Sequence, residues 1–231
     1  MIDSKEALKE YLRADIASHR PRIDKWRFWY PLKYPVLAWQ RRLRRLEYLR
    51  NCKTGLLWKP YIAWVNYRFI MHSVRLGVSI APNVFGPGLA LAHWGNVMVN
   101  SKARIGANCR IHPGTCIGAN AGSAPVLGDN CYVGPGAKIY GGIRLGDNVR
   151  VGANSVVNRS FPNDSLLVGV PAKQVDPAKA SPNPWVTSPS PKISSDAASY
   201  IESLAQLPVT NQSVVTRDPQ GVDMQMRPGS A

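Results

Sequence analysis

Four histidines (His19, His72, His93, His112) and four cysteines (Cys52, Cys109, Cys116, Cys131) are the side chains best suited to proton transfer, nucleophilic attack or metal binding. The cysteines form no CxxC pair and no Cys/His metal spacing. His93 stands apart, in Phe85-Gly86-Pro87-Gly88-Leu89-Ala90-Leu91-Ala92-His93-Trp94-Gly95-Asn96. A neutral imidazole on such a Gly/Pro-rich segment can take a proton from an alcohol, since an ordinary histidine titrates near neutral pH. His112, in Ile111-His112-Pro113-Gly114-Thr115-Cys116, follows an aliphatic residue at a corner and reads as structural and partly exposed. His72 closes a helical stretch and His19 lies in a basic loop, neither within a motif.

The element that must position His93 is written in a six-residue period. Val99, Ile105, Ile111 and Ile117, then Leu127, Val133, Ile139, Leu145, Val151 and Val157, recur at that spacing. A compact side chain mostly follows four residues later: Ala103, Cys109, Thr115, Ala121, Cys131, Ala137, Ile143, Val149 and Ser155. A period of six fits neither a helix nor an amphipathic strand and is that of a parallel β-helix. Each hexapeptide is one short strand, three make a coil, and both marked positions point into a narrow prism. Cys109 and Cys131 are then small buried hydrophobes. The register breaks once, between Ile117 and Leu127, so four extra residues within Ala119–Pro125 leave the wall as a loop. Solenoids place insertions on their binding face, so this loop is a candidate wall of the active site.

Charge and composition divide the chain at 1–75, 76–175 and 176–231. Their net charges are +11, +5 and −1 within a total of +15. Residues 1–75 read as a basic helical extension. Asp3 and Glu6 are expected to cap the first helix, which carries Leu8, Tyr11, Leu12 and Ile16. A second helix spans about 36–50, with Arg41, Arg42, Arg44, Arg45 and Arg50 along its solvated side, and a third spans about 60–74. Arginines interleaved with Trp26, Trp29, Tyr30, Tyr34, Trp39 and Tyr48 read as a helical cap that packs on neighbouring subunits. Peripheral contact with an anionic membrane is the alternative. Nucleic acid is not expected, because nothing else here resembles a nucleic-acid module. Residues 176–231 hold eight prolines and nine serines and read as a largely disordered tail, with one short helix at 196–207. A charged Met1–Glu6, no apolar run near the roughly 20 residues of a membrane span, and unpaired cysteines together point to the cytoplasm.

From Ile80 to Val175 the chain resembles the serine acetyltransferase family and its relatives that O-acetylate sugars in polysaccharide pathways. Phe85–Leu89 with Ala92-His93, Asn100–His112, Val133–Ile139, Val151–Val157 and the terminal Val168-Gly169-Val170-Pro171-Ala172-Lys173 carry the resemblance. It implies a left-handed parallel β-helix assembled as a homotrimer, with acetyl-CoA held between neighbouring prisms and no metal. It also implies that His93 is the general base activating the acceptor hydroxyl. Pro135 and Ala153 match backbone sites along the pantetheine arm, while Lys173 and Arg159 match groups that meet the CoA phosphates.

The departures bear on the acceptor. The family aspartate that orients the base is matched by Ser79, and the Asp before the base is Ala92. The family Arg-His pair after the insertion, which helps hold serine, is Ser123-Ala124. An amino-acid acceptor needs charged partners and these positions are neutral, so a sugar hydroxyl is favoured over L-serine. A non-catalytic scaffold is the remaining alternative. A zinc site as in γ-type carbonic anhydrases needs three histidines on adjacent coils, and the prism holds only His93 and His112.

Overall fold

The computed structural model describes residues 1–19 and 26–176. The tail at 177–231, including the short helix expected at 196–207, lies outside the described residues. Helix α1 (Lys5–Ala17) starts at Ser4, whose hydroxyl accepts the Ala7 N–H at 3.0 Å. Ser4 therefore takes the capping role expected of Asp3. A single turn, α2 (Tyr30–Lys33), precedes α3 (Pro35–Cys52). A 3₁₀ turn at Leu56–Trp58 then leads into α4 (Lys59–Leu76). Proline occupies the first turn of α3 and of α4, where its missing N–H removes no helical bond. Gly77 ends α4 in the left-handed conformation (φ 68°), and β-structure begins at once.

Five coils follow. The first holds β1 (Val78–Ile80) and β2 (Ala90–Leu91), and the second β3 (Val97–Val99), β4 (Arg104–Ile105) and β5 (Arg110–Ile111). The third holds β6 (Cys116–Gly118), β7 (Val126–Leu127) and β8 (Tyr132–Val133). The fourth holds β9 (Lys138–Tyr140), β10 (Arg144–Leu145) and β11 (Arg150–Val151). The fifth holds β12 (Val156–Val157) and β13 (Leu166–Gly169), on which β14 (Ala172–Val175) folds back antiparallel. Parallel pairing sorts them into three faces: β1-β3-β6-β9-β12, then β4-β7-β10, then β2-β5-β8-β11-β13. The protein is thus a parallel β-helix with an N-terminal helical region, as the six-residue period predicts.

The ten periodic aliphatics are buried, and so are Ala103, Cys109, Thr115, Cys131, Ala137, Val149 and Ser155. Ala121 is not among them. It sits exposed in the insertion (φ 46°), and Pro125 fills the inward slot instead. At the corner after the second face the coils approach so closely that a Cβ on Gly106 would lie 2.7 Å from the Gly128 backbone. The next corner residues are asparagines in the left-handed conformation, Asn108, Asn130 and Asn148. Their side chains form a ladder, with Asn108 Nδ2 donating to Asn130 Oδ1 (3.1 Å) and Asn148 Nδ2 to Asp164 Oδ1 (2.9 Å). Asparagine tolerates that backbone better than other residues with a β-carbon and stacks its amide on the coil above.

The helices dock on the first coil through one buried cation. Arg44, expected on the solvated side of α3, is wholly buried. Its Nε donates to Asp15 Oδ2 (2.9 Å), Nη1 to Glu47 Oε2 (3.0 Å) and the Phe85 carbonyl (2.9 Å). Nη2 donates to Asp15 Oδ1 (3.2 Å) and the Gly86 carbonyl (2.6 Å), which accounts for all five guanidinium N–H donors. Asp15 Oδ1 also accepts the Gly88 and Leu89 N–H groups, and Glu47 Oε1 accepts that of Asn83. Burial opposes the charge on Arg44, but the two carboxylates outweigh it and raise its pKa above the usual guanidinium range. Arg44→Met should therefore destabilise the fold by about 3–5 kcal/mol, because it strands two buried carboxylates. A denaturation midpoint unchanged from wild type would contradict this assignment.

Candidate active site

His93 sits at the corner where the third face gives way to the first. Pairing of Leu91 with Ile111, Ile111 with Val133 and Val133 with Val151 fixes what stacks there. Two residues further on, the same column holds His93, Pro113, Pro135 and Ala153. Backbone bonds tie the column together: Gly136 N–H to the Pro113 carbonyl (3.0 Å) and Asn154 N–H to the Pro135 carbonyl (2.9 Å). Coils spaced ~4.8 Å apart put Ala153 about 14 Å from the His93 level. Pro135 and Ala153 are both exposed, so an extended ligand has an open edge to follow.

The His93 corner differs from those below it. From Leu91 to Val99 is eight residues, against six from Ile111 to Ile117, so Ala92–Asn96 bulges outward by two. Gly95 N–H donates to the Leu76 carbonyl (2.8 Å) and Val97 N–H to that of Gly77 (3.1 Å), anchoring the bulge to the end of α4. A Cβ on Gly95 would lie 3.2 Å from Pro113 Cβ, so the loop rests directly on the next corner. The extra residues leave His93 and Trp94 exposed.

His112 lies directly beneath Ala92 and is more than a surface corner residue. Its ring is tilted against Tyr132 (centroids 5.1 Å apart), and its Nε2 is buried without a hydrogen-bond partner. Burial, the Arg110 guanidinium and the neighbouring His93 ring together hold its pKa at about 4. His112 is therefore a neutral imidazole beside the candidate base. Sequence reading missed this, because the ring packed against it, Tyr132, comes from a strand one coil further on. His19 belongs to the helical layer: its Nε2 donates to Gln40 Oε1, and Gln40 Nε2 donates to the Leu89 carbonyl.

The remaining expected residues divide between two edges. Lys173, on β14, pairs with Val168 just before the His93 column at its C-terminal end. Arg159 lies at the opposite edge of the first face, its guanidinium over Phe161 at 5.2 Å. The insertion is on that far edge too. Asn120 and Ser123 exchange two 2.9 Å backbone bonds, and a Cβ on Gly142 would sit 2.7 Å from Ser123 Cβ. Within one subunit the loop thus borders the first face across from His93 rather than beside it. Ser79, on β1, is exposed on that face and pairs with Met98. Among the described residues no group of three His, Cys, Asp or Glu side chains could hold a metal ion.

Within this stack of hexapeptides, residues 124–159 match the family model "Bacterial transferase hexapeptide (six repeats)". More particularly, the chain is similar to serine acetyltransferases. It is 37% identical over 115 residues to a serine acetyltransferase of Synechococcus elongatus, covering 47% of each protein. To the Mycobacterium tuberculosis serine acetyltransferase it is 32% identical over 114 residues, 47% of this chain and 50% of that one. The chain spans about half the length of the curated relatives it matches. The crystal structure of the Neisseria gonorrhoeae serine acetyltransferase superposes with a TM-score of 0.60 at 27% identity, over 78% of this chain and 70% of that one. A serine acetyltransferase in complex with CoA gives 0.59 at 26% identity, over 74% and 70%.

The His112 environment has a direct pH consequence. Unfolded, this imidazole protonates near 6.5; folded, only near 4. Between those values the folded state binds fewer protons, so its stability contribution is complete above pH 6.5 and is lost as the pH falls toward 4. NMR titration should place the His112 midpoint near 4, and His112→Gln should flatten the acid limb of the stability curve. A midpoint near 6.5 would show the ring to be solvated.

Proposed function

We propose that the protein is an acetyl-CoA-dependent O-acetyltransferase with His93 as general base. The imidazole takes the proton of an acceptor hydroxyl as the oxygen attacks the thioester carbonyl. The C–S bond breaks, the proton passes to the departing sulfur, and the products are an acetyl ester and free CoA. The observation that carries this reading is His93 on an enlarged corner, at the head of an exposed column that continues through Pro135 and Ala153. In this scheme the pantetheine arm follows the column and Lys173 meets the phosphates at its far end. Arg159 and the insertion lie on the other edge, so they join the site where two prisms face each other, which makes a homotrimer part of the proposal. We place the reaction in the cytoplasm, in keeping with the unpaired cysteines.

The relatives support L-serine as acceptor, since those matched are serine acetyltransferases. A second reading, a sugar hydroxyl of polysaccharide synthesis, rests on the neutral residues Ser79, Ala92, Ser123 and Ala124, where the family pattern carries charge. Release of CoA with L-serine, against a panel of nucleotide sugars and oligosaccharides, separates the two. Failure to bind CoA at all would leave a non-catalytic scaffold.

His93→Ala should lower turnover by roughly 10²–10⁴ while leaving CoA affinity nearly unchanged, with Ser79→Ala far milder. Full activity in His93→Ala would remove the mechanism. Light scattering should give a mass of three chains of 25.4 kDa or a multiple of three. A stable monomer at micromolar concentration would contradict the inter-prism site.

A further inference from the structure

Helix α4 is apolar on two faces, and among the described residues only the inner one is covered. Its inner face packs Phe69 on Trp39 (centroids 5.6 Å apart, 29° between planes), with Ile62 and Val65 against the same core. Its outer face is an aromatic row. Trp58 meets Tyr61 edge-on, Tyr61 stacks on Trp64 (6.0 Å, 26°), and Tyr67 continues the line at 59% exposure. Aliphatic side chains extend it at both ends, with Leu57 95% and Val74 71% exposed. Apolar surface of this extent, gathered on one helix of about 27 Å, marks a contact rather than a solvated face.

Its charges show what kind of contact. Lys53 sits over the Trp58 ring at 5.2 Å and the Arg68 guanidinium over Trp64 at 5.4 Å, so cations and rings alternate. Lys59, Arg68 and Arg75 are exposed along the helix. No aspartate or glutamate occurs anywhere from residue 48 to 128, a stretch that holds eight lysines and arginines. We infer that the 3₁₀ turn and α4 form a docking face for an anionic lipid bilayer, lying in the interface with Trp64 and Tyr67 at headgroup depth. Trp and Tyr favour that layer, and aliphatic neighbours with a basic rim are what an interfacial helix requires. Single-stranded nucleic acid also takes aromatics with cations, but Leu57, Ile70, Met71 and Val74 offer a base nothing to stack on. A second copy of this chain docking by the same face would bring a second acid-free helix against the first, and a copy docking by another face is separated from lipid by the oligomeric mass of the variants below. No helix among the described residues is long and apolar enough to cross a membrane, so the contact is peripheral. Because Gly95 is bonded to Leu76 at the end of α4, this docking also holds the His93 corner near the lipid surface.

The test is co-sedimentation of the full chain with vesicles of phosphatidylcholine alone or with phosphatidylglycerol added. The protein should pellet with the anionic vesicles, stay in solution with the neutral ones, and be released by high salt. Trp64→Glu with Tyr67→Glu should abolish pelleting, with helix content and oligomeric mass unchanged. Lys59→Gln with Arg68→Gln, which keeps the apolar face, should weaken it roughly 30-fold. Four outcomes would overturn the assignment: no pelleting on anionic vesicles, equal pelleting on neutral ones, tighter binding to single-stranded RNA at equal phosphate concentration, or a change of oligomeric mass in either variant.

Discussion

The arrangement of the molecule depends on a single buried cation. Arg44 reaches from α3 into the Phe85–Leu89 segment, where backbone carbonyls and the carboxylates of Asp15 and Glu47 satisfy every N–H it carries. That segment has no helix or long strand to fix it, and its glycines give it many alternatives in the unfolded chain. Asp15 holds it from the other side by accepting the Gly88 and Leu89 N–H groups. The guanidinium thereby joins α1, α3 and the first coil, and the chain enters β2 and the His93 corner already constrained. Buried ion pairs are weak sources of net stability, but a fork of five donors admits few alternative geometries.

Below that entry point the prism acts as a ruler. Parallel pairing without slippage places every residue of a corner above its counterpart one coil down, so a column of chemically useful positions runs along each edge. His93, Pro135 and Ala153 share one column because Leu91, Ile111, Val133 and Val151 pair in register two residues earlier, and the two residues added before Val97 enlarge only the His93 corner. The addition is tolerated because Leu76 and Gly77 supply backbone acceptors for it. The four-residue insertion is absorbed on the opposite edge by a tight turn over Gly142. The two irregularities thus fall on opposite borders of one face.

Charge follows the same geography. With no carboxylate side chain between Glu47 and Asp129, the helix that precedes the prism and the first two coils carry no acidic residue of their own. Within this stretch His112 is kept neutral by burial and by Arg110, beside an exposed His93. The packing of the bulge against Pro113 is what positions His93.

The sequence by itself determined the solenoid, because an inward aliphatic and an inward compact residue every six positions satisfy one geometry and spoil the others. It also determined that His93 lies where that period fails. What it left open were properties that arise between distant segments. Arg44 looks like its neighbours Arg42 and Arg45 along the chain, and only the tertiary structure decided that it is buried. The reason is that its partners, Asp15 and the Phe85 and Gly86 carbonyls, lie 29 to 42 residues away. Ala121 fits the compact pattern and yet is exposed, because the insertion turns before reaching the wall and Pro125 fills the slot. His112 reads as an ordinary corner residue until Tyr132, one coil further on, is packed against it. A periodic sequence specifies which way each side chain points; which groups then meet depends on how coils and helices stack, and that is a property of three dimensions.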